Sequence, residues 1–205
     1  SSVNNWELKM QIKTLVLSAL SGVIALVVLI TLVVMLEKVP AGNAGIKVYL
    51  LGKSKGVDTE QLGPGRYLIG FNEELYLFPT FKQNKVWTNG EGASQGAFVF
   101  GTIDGMKVSS DIGISYKVNP GMVPILFQNY RKGIDEITDV DVKNKVASEF
   151  ITSASRMPVD SVYGPGKEKL LREVQEKVTA AFKPQGIDIV ALYWTGDLYL
   201  PPEIT

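Results

Sequence analysis

Residues 102–120 read TIDGMKVSSDIGISYKVNP. Asp104-Gly105 is a tight-turn dipeptide. Beyond it Met106, Val108, Ile112, Ile114, Tyr116 and Val118 fall on even positions, with Ser110 the exception, while Lys107, Asp111, Ser115 and Lys117 are odd. A period of two with one polar face predicts a half-buried strand. Asn119-Pro120-Gly121 ends it. The period then changes. Over 139–154, Val142, Val146, Phe150 and Ala154 recur four apart, which predicts a helix with Asp139 or Asp141 at its start. A second amphipathic helix is predicted over 167–183, with Leu170, Leu171, Val174, Val178, Ala181 and Phe182 as its stripe. Glu168 with Arg172, and Glu173 with Lys177, are i,i+4 pairs on its polar faces. Pro184 and Gly186 close it, and 187–193 reads as a last strand with Ile187, Ile189 and Ala191 alternating against Asp188 and Val190. Strands, then helices, then a strand predict an α+β domain with helices packed on a sheet.

Upstream of that stretch, 46–51, 66–69 and 75–78 read as further strands, separated by the turn signal Gly63-Pro64-Gly65 and stopped at Pro79. They predict an antiparallel β subdomain. Gly52-Lys53-Ser54-Lys55-Gly56 lacks the spacing of a phosphate-binding loop and reads as a hairpin loop. The polar, glycine-rich 90–96 reads as a loop between subdomains or against a neighbouring subunit.

Residues 14–36 read TLVLSALSGVIALVVLITLVVML, with no charge. As a helix this run rises about 35 Å at about 1.5 Å per residue, enough for a hydrocarbon core of about 30 Å. Ser18, Ser21 and Thr31 can bond back to their own helix. Ser18 and Gly22 have the small-xxx-small spacing that lets helices pack in lipid. Trp6, in the leader 1–13, suits the headgroup level. Lys9 and Lys13 on one side nearly balance Lys38, Lys47, Lys53 and Lys55 on the other, so charge hardly sets the orientation. The expected topology is a single pass with a short cytoplasmic N-terminus and the main domain on the opposite face.

Composition narrows the chemistry. The 205 residues carry 21 basic and 21 acidic side chains, a balance unlike that of a nucleic-acid binder. There is no cysteine and no histidine, which removes thiol nucleophiles, disulfides and zinc sites built from either residue, and with them the commonest general base. Asp104, Asp111, Asp139 and Asp141 sit at turn, strand-surface and helix-start positions. Ser94, Ser109, Ser110 and Ser161 have no histidine partner, which leaves a serine–lysine mechanism open for them, and no spacing singles out such a pair. No catalytic, cofactor or metal residue is assigned.

The ordered features resemble the SPFH or band 7 superfamily, the group of prohibitins, stomatins, flotillins and HflK/HflC. The matching stretches are Val39-Pro40-Ala41-Gly42-Asn43-Ala44-Gly45-Ile46 directly after the apolar run, Leu62-Gly63-Pro64-Gly65-Arg66-Tyr67, Thr102–Val108 continuing into Ile114–Pro120, and Gly186–Val190 followed by Pro201-Pro202-Glu203-Ile204. The order of anchor, domain, final strand and proline-led helix start is most similar to the prohibitin or HflK/HflC type.

The resemblance implies a membrane-proximal β subdomain over 37–92, an α/β subdomain over 93–200, and the start of a coiled-coil helix at 201–205 that continues beyond the given sequence. It implies a non-enzymatic scaffold that forms a large ring or cage as a homo-oligomer or paralogous hetero-oligomer, organises a membrane microdomain and regulates an FtsH-type membrane protease. On this basis Asn119, Pro120, Met122, Val123, Phe150, Val174 and Val178 are expected at a subunit interface. Leu75, Tyr76, Leu77 and Phe78, with Trp6, are candidates for contact with the membrane surface, although a core strand is the preferred reading of 75–78. A tethered binding module of low oligomeric order is the alternative.

Overall fold

The computed structural model describes residues 2–51, 56–88 and 96–198. Helix α1 spans Ser2–Val34. It therefore includes the leader and stops two residues short of the expected end at Leu36. Valine and isoleucine favour this helix only where the backbone has no competing water, because there the chain must satisfy its own N–H and C=O groups. The Thr14, Ser18, Ser21 and Thr31 hydroxyls donate to carbonyls three or four residues back, at 2.8–2.9 Å. Lys9–Val34 is long and apolar enough to cross a membrane, and its most apolar stretch is not buried against the rest of the chain.

Among the described residues, ten strands and a helical layer follow. Strand β1 (Leu36–Val39) begins after the single residue Met35, and is followed by β2 (Asn43–Tyr49), β3 (Gly56–Leu62), β4 (Gly65–Leu68) and β5 (Glu73–Pro79). Strands β1 and β4 form an antiparallel ribbon, and β3-β2-β5 form an antiparallel sheet. Strand β6 (Gln83–Trp87) belongs elsewhere. It pairs with β9 (Ile112–Val118), so a sheet crosses the boundary expected at 92. Strands β7 (Phe98–Gly101) and β8 (Lys107–Ser110) make a hairpin around the predicted Asp104-Gly105 turn.

The stretch 106–118 is therefore two strands. Asp111 breaks it, and the chain passes from the β7–β8 hairpin into β9, the central strand of a sheet between β6 and the last strand, β10 (Ile187–Trp194). The predicted polar face is present in part: Lys107 and Lys117 are exposed and Asp111 is half-buried. Only Lys117 is exposed in β9, and Ser115 is buried with its hydroxyl bonded to Asn84. A central strand has cover on both faces, and a serine is accepted there because its hydroxyl is satisfied.

After Asn119 come α2 (Val123–Tyr130), α3 (Ile134–Glu136), a π-helical stretch (Ile137–Val142) and α4 (Lys143–Ala154). The predicted helix thus begins earlier, behind Gly133, and its first-turn acids are Asp135 and Glu136. Asp139 lies mid-helix and pairs with Lys85 at 2.5 Å, so it is not a cap. Helices α5 (Val159–Tyr163) and α6 (Gly166–Phe182) lead to β10 (Ile187–Trp194). Leu170, Leu171, Val174, Val178 and Phe182 of α6 are buried as the stripe requires, with Ala181 half-buried. Of the two charge pairs expected on α6, Glu173–Lys177 forms, at 2.8 Å. The alternation in β10 fails after Ile189, because a bulge at Val190 shifts the phase and buries Leu192.

One apolar core runs from Ala44, Ile46 and Phe78 to Phe150, Val174 and Leu192. Two aromatic groups hold its ends. Phe127 of α2 meets Tyr76 and Phe78 at centroid distances of 4.5 and 6.4 Å. Phe150 of α4 lies 5.3 Å from Phe100, 5.5 Å from Trp194 and 6.0 Å from Phe98.

Candidate functional site

The junction between the apolar helix and the domain has almost no slack. Met35 alone separates Val34 from β1, and its own N–H still donates to Thr31 O at 3.1 Å. Its carbonyl accepts the Ile69 N–H at 2.8 Å, which ties the end of β4 to the end of the helix. Leu36 pairs across the ribbon with Leu68, and Lys38 with Arg66. The turn after β4 carries Phe71, 82% exposed, and is clipped to the end of β2 by Leu50 N–H to Asn72 O at 2.8 Å.

Trp6, Ser18 and Gly22 lie on the exposed surface of α1. The other expected membrane-surface residues divide. Tyr76 and Phe78 point to one face of β5 and pack on Phe127, with Phe78 fully buried. Leu75 is half-buried beside Gly45, and Leu77 is exposed. The alternation of β5 gives half of 75–78 to the sheet's packed face and turns the other half outward.

The expected interface residues divide in the same way. Val123, Phe150, Val174 and Val178 are 0% exposed within the single chain. They leave no surface for a neighbouring subunit: the resemblance suggested them as contacts, but the chain's own core encloses them. Asn119 and Pro120 are exposed and Met122 is half-buried. Their loop is held firmly. Asn119 Oδ1 accepts the Gly121 N–H at 3.1 Å, and the Asn119 N–H donates to Gly186 O at 2.8 Å. Gly186 has φ +97°, and a Cβ there would fall 2.8 Å from Met122 Cβ, so only glycine fits.

A serine and a lysine do converge, though Ser153 is not among the serines that the sequence brought forward. Lys177 Nζ donates to Ser153 Oγ at 3.0 Å, and Ser153 Oγ donates to Glu173 Oε1 at 2.9 Å. Lys177 is also 2.8 Å from Glu173 and 3.6 Å from Glu149, and Arg156 is 2.7 Å from Glu173. The hydrogen bond from Lys177, and then that from Ser153, holds the Glu173 carboxyl below its ordinary range. A carboxylate so stabilised is a weak base. Lys177 acts as a donor to the serine oxygen, and Ser153 is 1% exposed between two helices. The cluster therefore clamps α4 to α6 and does not activate a nucleophile. Among the described residues there is no group of three acidic, histidine or cysteine side chains that could hold a metal.

A helix–domain junction leading into an α+β domain agrees with a comparison to known families. The model of the SPFH domain / Band 7 family matches residues 37–205, from the second residue of β1 onward. The chain belongs to this family. Band 7 proteins are non-catalytic, membrane-associated scaffolds that often form oligomeric complexes, and the chain is of that non-enzymatic class. No curated protein matches it. The loops at 52–55 and 90–95 and the proline-led end 201–205, to which the sequence assigned a hairpin, a linker and a helix start, lie outside the described residues.

Proposed function

We propose that this band 7 protein is a single-pass membrane scaffold whose copies assemble laterally into a large ring or cage, as a homo-oligomer or with a paralogue. The observation that carries the reading is the direct fusion of an apolar helix to a band 7 domain through Met35 alone. Such a junction holds each domain at one height above the bilayer. Tethered copies then meet at high effective concentration, where weak lateral contacts suffice, and cyclic symmetry satisfies every contact. The exposed loop of Asn119 and Pro120, braced by Gly186, suits such a contact because its shape is fixed before it meets a neighbour. The short N-terminus is placed in the cytoplasm. The prohibitin or HflK/HflC type, a coiled coil after residue 205, and a membrane-bound AAA protease of the FtsH type as client extend the same reading.

The test is the mass of the protein extracted in mild detergent. A particle of many copies is the expected result. A monomer or dimer that persists across gentle extractions overturns the scaffold and leaves a tethered binding module.

A further inference from the structure

The β1–β4 ribbon has two unlike faces. Val39 is buried and Tyr67 half-buried, its hydroxyl donating to Gly63 O at 2.8 Å, so their face turns inward, although Glu37 at its edge stays exposed. The other face carries two cross-strand pairs, Leu36 with Leu68 and Lys38 with Arg66. All four side chains are exposed. Directly opposed residues bring their Cβ atoms to about 4.5–5.5 Å, and like charges so placed repel. Neither Lys38 nor Arg66 forms an ion pair with a described residue. An apolar pair thus lies next to the end of the helix, and an uncompensated cationic pair lies one β-step beyond it.

That order matches the profile of a bilayer surface. Two residues along a strand advance about 6.8 Å. The headgroup layer on each side of a membrane is about 5–7 Å deep. With the helix spanning the hydrocarbon, its last apolar residues at the boundary and the ribbon continuing along the membrane normal, Leu36 and Leu68 would meet the upper acyl chains. Lys38 and Arg66 would then reach the phosphates.

We propose that this face of the ribbon binds the headgroups of anionic phospholipids in the bilayer that the helix enters. A phosphate between the two cations converts their repulsion into charge-assisted hydrogen bonds, with the Arg66 guanidinium offering a two-pronged donor set. The exposed Phe71 in the adjoining turn gives the domain a further apolar contact with the same surface. Helix and ribbon together fix the rotation of the domain about the helix axis, which a helix alone leaves free. The proposal rests on the membrane anchoring in the reading above and does not depend on assembly into a ring.

The chain has no cysteine, so single labels can be placed cleanly. The full chain goes into nanodiscs of phosphatidylcholine, with or without roughly one quarter phosphatidylglycerol. An environment-sensitive fluorophore sits at Leu68→Cys, with Ile24→Cys as the bilayer reference and Glu176→Cys as the water reference. Nitroxide-bearing lipids are expected to quench the label at 68, more strongly with phosphatidylglycerol present. Native mass spectrometry of the unlabelled protein is expected to show retained phosphatidylglycerol, falling about fivefold for each cation removed in Lys38→Gln and Arg66→Gln. A label at 68 that behaves like the one at 176 while 24 is quenched overturns the proposal and leaves the anchor standing. Equal phosphatidylglycerol retention by the double variant also overturns it. No quenching at 24 removes the anchor and the proposal together.

Discussion

The Ile69 N–H donates to the Met35 carbonyl at 2.8 Å, so the residue that follows the apolar helix is also bound to the residue that follows β4, 34 positions later. This bond and the β1–β4 ribbon make the junction a fixed joint. Inserting Gly-Ser-Gly-Ser between Val34 and Met35 keeps both features but gives the domain a flexible tether. The domain's thermal midpoint is expected to stay unchanged, while the particle in mild detergent falls from many copies to few. An unchanged particle mass would show that the joint does not set assembly.

Phe150 provides a test that separates core from interface. It is fully buried and touches Phe98, Phe100 and Trp194. Phe150→Ala is expected to cost about 3–5 kcal/mol of folding stability, and Phe150→Leu clearly less. Urea unfolding followed by tryptophan fluorescence reads this directly, since Trp194 packs on the ring. A variant of normal stability with a smaller particle would return Phe150 to the interface.

What the sequence made legible was local periodicity. The α6 stripe and the apolar run of α1 depend on spacing alone, and both appear where spacing places them. What it hid depends on distant partners. Ser115 and Asp111 have the composition of a wet strand face, yet Asn84 satisfies the first and Thr88 bonds the second at 2.8 Å. Asp139 has the composition of a helix cap, but Lys85, 54 residues upstream, holds it mid-helix. The bulge at Val190 has no signal in a single strand. For the same reason, stripes such as Val174 and Val178 cannot be divided between core and interface by spacing. The lipid-facing pair Lys38 and Arg66 becomes visible only once β1 and β4 are in register.

The α4–α6 clamp makes stability depend on acid pH. Glu173 is held below its ordinary value of 4.5 by the hydrogen bond from Lys177 and then that from Ser153. Glu149 is held below the same value, chiefly by the hydrogen bond from Lys145. The unfolded chain binds these protons more readily, so both contributions are full above about 4.5 and are lost as the pH falls through the lowered folded values. Glu173 is about a third exposed, which keeps its share modest. Wild type is expected to melt above Glu173→Gln at pH 7, with the gap closing as the pH falls below about 4. Thermal midpoints across that range check it, and a gap independent of pH would contradict it.

Gly113 and Tyr193 face each other across the β9–β10 ladder, and the tyrosine ring lies over the glycine. A Cβ at 113 would fall 2.2 Å from Tyr193 Cε2 and 2.4 Å from Cζ. Glycine is needed here for space, since its backbone conformation is one that any residue adopts. Gly113→Ala must push the ring aside in the central strand of the sheet, at an expected cost of about 1–3 kcal/mol. Tyr193→Ala alone loses the ring's packing. Combined with Gly113→Ala it also removes the clash, so the double variant should be less destabilised than the sum of the two. Urea midpoints of the four proteins give the coupling energy. A coupling near zero would mean that the ring moves off Gly113 freely and that the glycine is not there to seat it.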